Sequence, residues 1–398
     1  MPSEPKRADV VVVGAGIVGL SIAWRAARCG LAVTLLDRAE AGAATSHVAA
    51  GMLAPVAEAE FGEGGRRLLA LGRAAAERWP GFAHELEAAS GLPTGLLDVG
   101  TLLVAGDDDE AAELERQLDL RRSLGLAVEP LRPSQARERE PALAPALRMA
   151  LEAPHDRSVD PRLVLAALRE ACVRAGVELR EGCDVRALEV TDEACRGVRL
   201  HDDDGVLEAE RVVLAAGPWS GEIEGVPAAA RVPVRPVKGQ IVRLRDPAGP
   251  GLLSRVLRFG GGYVVPRADG RYVLGATVEE RGFETAPTAG GIYELLREAR
   301  EIVPGITELE IEEISVGLRP GTPDNAPAIG QSAVEGLVWA TGHYRNGILL
   351  APLTADLVVG LLDGTGGAGD EELLRAADPA RFATATTNAA TLALEGAR

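Results

Sequence analysis

Aromatic side chains are scarce in this 398-residue chain, at 3% of the total, and so are cysteine (4) and methionine (3). So few rings provide little on which nucleic-acid bases could stack. Positive charge is also in deficit: 42 Lys+Arg stand against 59 Asp+Glu, a formal net charge of −17. That balance argues against nucleic acid or an anionic membrane as partner. Cys29, Cys172, Cys183 and Cys195 form no C-x-x-C pair and have no paired histidine spacing. They read as reduced thiols of a cytoplasmic protein. His47, His84, His155 and His201 lack ligand-like neighbours in sequence, so no metal site is expected. No apolar run is long enough to span a bilayer, and the opening MPSEPKRAD shows no secretory leader.

Glycine, in contrast, is plentiful, with 47 residues, and its placement at 10–37 organises the chain. A β-branched apolar run at 10–13 predicts a strand buried on both faces. Gly14, Gly16 and Gly19 then spell G-x-G-x-x-G, a helix is predicted over 17–27, and a second strand over 31–36 ends at Asp37. Gly14 permits a tight turn, Gly16 lets a pyrophosphate approach the backbone, and Gly19 lets helix and strand pack closely. The helix N-terminus offers unpaired N–H groups to phosphate, and Asp37 offers an acceptor to ribose hydroxyls. This order of strand, glycines, helix, strand and acid predicts a dinucleotide site, without choosing FAD over NAD.

Downstream, 48–55 gathers small residues around Gly51. A helix is expected over 63–89 with an interruption at Pro80-Gly81, a bent strand or strand pair over 96–104, and an exposed charged helix over 107–124. Residues 133–145 read as a loop with one helical turn. Asp160-Pro161 starts a helix over 162–174 as N-cap and first helical residue. Strands follow at 177–179 and 184–190, a hairpin turn at 202–205, and a buried strand at 211–216. From 232 to 313 alternating patterns predict an antiparallel sheet holding a helix at 292–302. A strand at 337–341 and a helix at 348–362 close the pattern, and beyond Gly364 the chain turns Gly/Ala/Thr-rich and is expected to be poorly ordered near its end. The fold class is therefore α/β, with a nucleotide-binding domain and a second α+β domain built on a mostly antiparallel sheet. The expected boundaries are 1–57, 157–225 and 326–366 for the first, 58–156 and 226–325 for the second, and 367–398 for a tail.

Six stretches in order carry a resemblance: VVVGAGIVGL with Asp37, TSHVAAGML at 45–53, GPWS at 217–220, GGYVVPR at 261–267, GLRPGTPDNAPAIG at 317–330 and GHYRNGILLAP at 342–352. Together the chain resembles the glycine oxidases of the thiamine-biosynthesis type, within the D-amino-acid-oxidase group of FAD enzymes, over about residues 8–362. The resemblance implies non-covalent FAD with its ring between the two domains. It implies backbone contacts to the pyrophosphate from Ile17 and Val18, with Asp37 and Arg38 beside the adenosine ribose and Val185 at the adenine. It also implies that Thr45, Ser46, Ala50, Gly51 and Met52 line the flavin. Gly217 and the run His343, Tyr344, Arg345, Asn346, Gly347, Ile348 and Leu349 lie near the ring. Arg319 and Arg345 match substrate-holding positions, and Tyr263 matches a phenol beside the substrate carboxylate.

The chemistry of the residues agrees. An α-amino acid keeps its carboxylate through oxidation, and Arg with two parallel N–H donors plus a Tyr hydroxyl forms a fixed anion clamp. The implied reaction converts glycine, O2 and water to glyoxylate, ammonia and H2O2. Gly261-Gly262 and Val278 depart from the bulkier residues of the pattern, which leaves glycine, sarcosine and small D-amino acids open as substrates. The alternative is a D-amino-acid dehydrogenase that passes electrons to an acceptor other than O2. A homo-oligomer is expected, with the inserted segment at 114–124 as a candidate interface.

Overall fold

The computed structural model describes residues 8–202 and 205–383. Two eight-stranded sheets organise them. In the first, Ala8–Val13 lies at the centre, parallel to Val33–Leu36 on one side and to Val206–Leu214 on the other. Glu178–Arg180 and Leu337–Thr341 extend the parallel set at its two ends, and Ala328–Gln331 adds an antiparallel edge. The hairpin Val185–Thr191 and Ala194–Leu200 branches off Val206–Leu214. Val10, Val11, Val12 and Val13 are buried, as a run covered on both faces requires.

Helices Ile17–Arg28, Gly62–Ser90, Pro161–Arg174 and Gly347–Asp363 pack against this sheet and one another. Trp24, Trp79 and Phe82 form their buried centre, with two edge-on ring pairs each 5.5 Å apart. The Trp79 indole N–H also donates to the Leu349 carbonyl at 2.9 Å, tying two helices together.

The second sheet runs Glu310–Gly321, Arg235–Arg245, Arg271–Gly275, Gly262–Pro266, Val256–Phe259, Thr101–Ala105, Met149–Ala153 and Glu129–Leu131 in spatial order. All neighbours are antiparallel except Val256–Phe259 with Thr101–Ala105. Helices Asp108–Ser123 and Ala289–Ile302 flank it.

Two local expectations need correcting. The helix expected to break at Pro80-Gly81 runs unbroken from Gly62 to Ser90. Pro80 is exposed, while Trp79, Phe82, Ala83 and Leu86 are buried around it, and that burial outweighs an interior-proline cost of about 3 kcal/mol. At 96–104 the strand is Thr101–Ala105, and Leu97 only bridges to Ser158. Past Gly364 the chain forms a helix, Ala368–Ala377, and a short turn, Pro379–Phe382, with Ala377 and Phe382 buried against the first sheet's layers. In the helix Asp108–Ser123, Leu114 and Leu118 pack inward with Leu103 and Leu151. Part of the turn expected at 202–205 (residues 203 and 204) and the tail after 383 lie outside the described residues. Among the described residues no helix is long and apolar enough to cross a membrane.

Candidate active site

The glycine loop sits where the parallel strands end. Gly14 has φ +101°, and a Cβ there would meet the Ala215 carbonyl oxygen at 2.5 Å. A Cβ on Gly19 would collide with the Gly14 carbonyl. Both positions are therefore closed to any side chain. Gly16 caps the helix Ile17–Arg28 with no side-chain bond of its own, and the Ile17 N–H donates to Ser46 Oγ at 3.1 Å. Asp37 closes the loop from the second strand. Its Oδ2 accepts from the Ala15 N–H at 2.7 Å and its Oδ1 from the Ala39 N–H at 2.9 Å. Burial raises the Asp37 carboxyl above its usual range, against the opposing pull of those two N–H groups.

A cavity of about 920 Å³ opens from this loop and reaches the second sheet. That is near the upper end of the range for small-molecule sites. Its walls include Gly14, Gly16, Ile17, Val18, Asp37, Arg38, Thr45, Ser46, Ala50, Gly51, Met52, Val185 and Gly217. At the other end they include Tyr263, Arg319, His343, Tyr344, Arg345, Gly347 and Ile348. Three residues expected beside the cofactor do not line it. Gly19 lies behind Gly14, and Asn346 and Leu349 line a second cavity of about 270 Å³.

The wall on the second sheet is built by strand register. Ile241, Gly275, Tyr263 and Arg258 face one another across successive strands, with Gly239 two residues from Ile241 on the same face. The Arg319 side chain crosses from its own strand over Gly239, and a Cβ on Gly239 would lie 2.6 Å from Arg319 Cζ. Arg319 Nη1 donates to the Thr277 carbonyl at 3.0 Å and the Lys238 carbonyl at 3.3 Å. Among the described residues it has no carboxylate partner. Tyr263 lies over Gly275 in the same manner, its hydroxyl oxygen 2.5 Å from where a Cβ would stand. Burial pushes the Tyr263 phenol up and the nearby Arg319 charge pulls it down, with the net shift upward. It stays protonated and able to donate. Two glycines thus leave a trough into which a guanidinium and a phenol project.

The remaining expected residues divide. Arg345 pairs with Glu60 at the junction of the two cavities. Tyr344 holds φ +47° there, and its N–H donates to the Pro320 carbonyl at 2.9 Å. The His343 ring turns into the protein instead, with Nε2 3.0 Å from Thr354 Oγ1. Burial lowers its pKa to about 4, so at neutral pH it is uncharged. Thr45 Oγ1 donates to the Leu318 carbonyl at 2.7 Å, linking the loop after Asp37 to the Arg319 strand.

Trp219, Phe283, Glu58 and Arg258, all in the cavity wall, were not named as site residues from the sequence. Arg38 lies 3.9 Å from the Trp219 ring centre, and Trp219 stacks on Phe283 at 6.1 Å. Trp219 belongs to the GPWS stretch and could have been found there. Glu58 and Arg258 form an ion pair at 3.2 Å in the wall near Tyr263, and no motif marks either.

The groups present fit a flavin dinucleotide. A helix N-terminus and side-chain-free backbone suit the pyrophosphate, an acid stands at the end of the second strand, and a long cavity continues to a second sheet. Among the described residues no cluster of His, Cys, Asp or Glu is arranged for a metal.

Comparison with known proteins agrees with this geometry. The family described as FAD dependent oxidoreductase (DAO) matches residues 9–361. A bifunctional ThiO/ThiG protein of Synechocystis sp. is 38% identical over 386 residues, covering 95% of this chain and 54% of that protein. The chain thus spans about half the length of such bifunctional relatives. A glycine oxidase of Geobacillus kaustophilus is 35% identical over 359 residues, covering 90% of this chain and 93% of that protein. The crystal structure of glycine oxidase from Geobacillus kaustophilus superposes with a TM-score of 0.84 at 34% identity, covering 91% and 96% of the two chains.

Proposed function

This chain belongs to the family of FAD-dependent oxidoreductases, and on that footing we propose that it oxidises glycine, and with it sarcosine or small D-amino acids, to the 2-oxo acid, ammonia and H2O2. FAD, when bound, supplies the two-electron acceptor for the substrate Cα–H bond. The protein supplies position. Arg319 offers parallel donors to the substrate carboxylate, and the Tyr263 hydroxyl adds a third. Arg319 lies over Gly239 and Tyr263 over Gly275, and both line the cavity where a small amino acid would be held. Holding the carboxylate fixes where the α-carbon lies, and such orientation is worth several kcal/mol of the barrier.

The observation that carries the reading is Arg319, a cavity-lining guanidinium held by two carbonyls and, among the described residues, by no carboxylate. An anionic substrate supplies its missing partner. Arg345 already has one in Glu60, so at the junction of the two cavities it borders the site and does not clamp the carboxylate. The remaining proposals are O2 as acceptor, a homo-oligomeric cytoplasmic enzyme, and a place in thiamine thiazole biosynthesis. Similarity to the ThiO/ThiG and glycine oxidase relatives supports the last. A steady-state panel of glycine, sarcosine, D-alanine and L-alanine, read as H2O2 formed, tests the reaction. Dye reduction without O2 uptake would assign the dehydrogenase alternative instead.

A further inference from the structure

Resting on the reading of this cavity as an amino-acid site, we propose that Asp156 and Arg121 are positioning residues that grip the backbone of Val56 and Ala57 and so hold the Glu58–Arg258 pair in the cavity wall. Asp156 Oδ1 accepts from the Val56 N–H at 3.3 Å and Oδ2 from the Ala57 N–H at 3.0 Å. Arg121 Nε donates to the Val56 carbonyl at 2.9 Å and Nη2 to the Ala57 carbonyl at 2.7 Å. All four backbone polar groups of two consecutive residues are thus taken by two charged side chains. Asp156 and Arg121 are each 1% exposed. Among the described residues neither forms an ion pair within 4 Å.

Burying two charges costs several kcal/mol each unless strong bonds offset it. Neutral amides could cover a loop with less desolvation. What the charges secure is the segment that leads directly into Glu58. Arg258 is bound to the same segment, with Nη1 3.3 Å from the Ala57 carbonyl and 3.2 Å from Glu58 Oε1. Arg258 is also the cross-strand partner of Tyr263. The grip therefore runs from the helix Asp108–Ser123 and from Asp156, through two peptide units, to a charged pair flanking the phenol. An ångström of slack there misplaces both charges beside the substrate, a scale of error that costs up to a hundredfold.

The ionisation of Asp156 enters the grip. Burial is the main cause that lifts its carboxyl to about 7, opposed by the Ala57 and Val56 N–H groups. The charged groups acting on it are Glu58 and Arg258 from the cavity wall and Arg121 from the flanking helix. Of its chain neighbours, His155 is exposed and Arg157 pairs with Asp98 at 3.4 Å. Only the carboxylate accepts both N–H groups without carrying a proton that needs its own acceptor. The grip weakens as pH falls through 7.

Two measurements on the FAD-loaded enzyme test this. Steady-state kinetics with glycine between pH 6 and 8.5 should show a wild-type KM that rises toward low pH. D156N should raise KM at least tenfold at pH 8, change kcat less than threefold, keep wild-type flavin content and lose the pH dependence of KM. D156N with R258Q should be no worse than the weaker single variant. Hydrogen exchange of the Val56 and Ala57 amides should accelerate at least tenfold in D156N. If D156N does not accumulate, R121K carries the same expectations for KM and kcat. A KM within twofold of wild type, equal loss of kcat, flavin and thermal stability, or additive effects of D156N and R258Q would overturn the proposal. A wild-type enzyme whose flavin no amino acid reduces would overturn the functional reading instead, while the exchange measurement still reports on the grip.

Discussion

Arg319 and Gly239 are in contact across neighbouring strands: the guanidinium lies where a side chain at 239 would stand, with Cζ 2.6 Å from the missing Cβ. Gly239→Ala should therefore displace the guanidinium without removing any functional group. We expect kcat/KM for glycine to fall at least tenfold while the flavin content per chain is unchanged. Loss of flavin in step with activity would mean that the glycine serves the fold and not the substrate.

Arg319→Ala removes the charged donors outright. On the scale of hydrogen bonds to charged groups this should cost about 2–4 kcal/mol of transition-state binding, roughly thirty- to a thousandfold in kcat/KM. Tyr263→Phe removes one hydroxyl and should cost about 1–2 kcal/mol. Steady-state H2O2 formation measures both, and an Arg319→Ala enzyme with wild-type efficiency would remove Arg319 from the site.

How much of this was open to sequence reading depends on how locally each feature is determined. Gly14, Gly16, Gly19 and Asp37 were legible because a turn, a close approach and a strand end lie within one short stretch of chain. Arg319 and Tyr263 were found through the motifs around them, not from spacing. The trough they share was not legible, since it arises only when Arg235–Arg245 pairs with Arg271–Gly275, setting Gly275 against Ile241 with Gly239 two residues along on the same face. Glu58 and Arg258 lie far apart in sequence and meet through tertiary packing alone. Pro80 misled for the opposite reason: a sound local rule was overridden by the burial of Trp79 and Phe82.

Gly19→Ala should prevent cofactor binding, because the colliding atom is the backbone carbonyl of Gly14 and cannot rotate aside. Purified variant protein should be colourless or fail to fold. Flavin absorbance per chain is the measurement, and a fully yellow Gly19→Ala protein would contradict the loop's role.

The thiol that lines the main cavity among the described residues is Cys183, beside Asp184 and Val185 on the first sheet. With no thiol at the Tyr263 end, the flavin should be released whole by denaturation. Colour left on precipitated protein would show a covalent link.

His343 supplies a pH effect on stability. Its folded pKa is depressed by burial from 6.5 to about 4, so the unfolded chain binds the proton more readily. Stability is fully present above pH 6.5 and falls as pH drops toward 4, by about 2 kcal/mol at pH 5. Thermal unfolding at pH 7.5 and 5 should show a decrease that is smaller in His343→Asn. An equal decrease in both proteins would assign the effect to other groups.

The central claim is that an amino acid held by Arg319 gives up two electrons to the bound flavin. Adding glycine to the yellow protein without oxygen tests it most directly. The oxidised flavin absorption should bleach, and Arg319→Ala should bleach far more slowly at the same glycine concentration. A wild-type spectrum that neither glycine, sarcosine nor D-alanine alters, while dithionite bleaches it, would contradict the account.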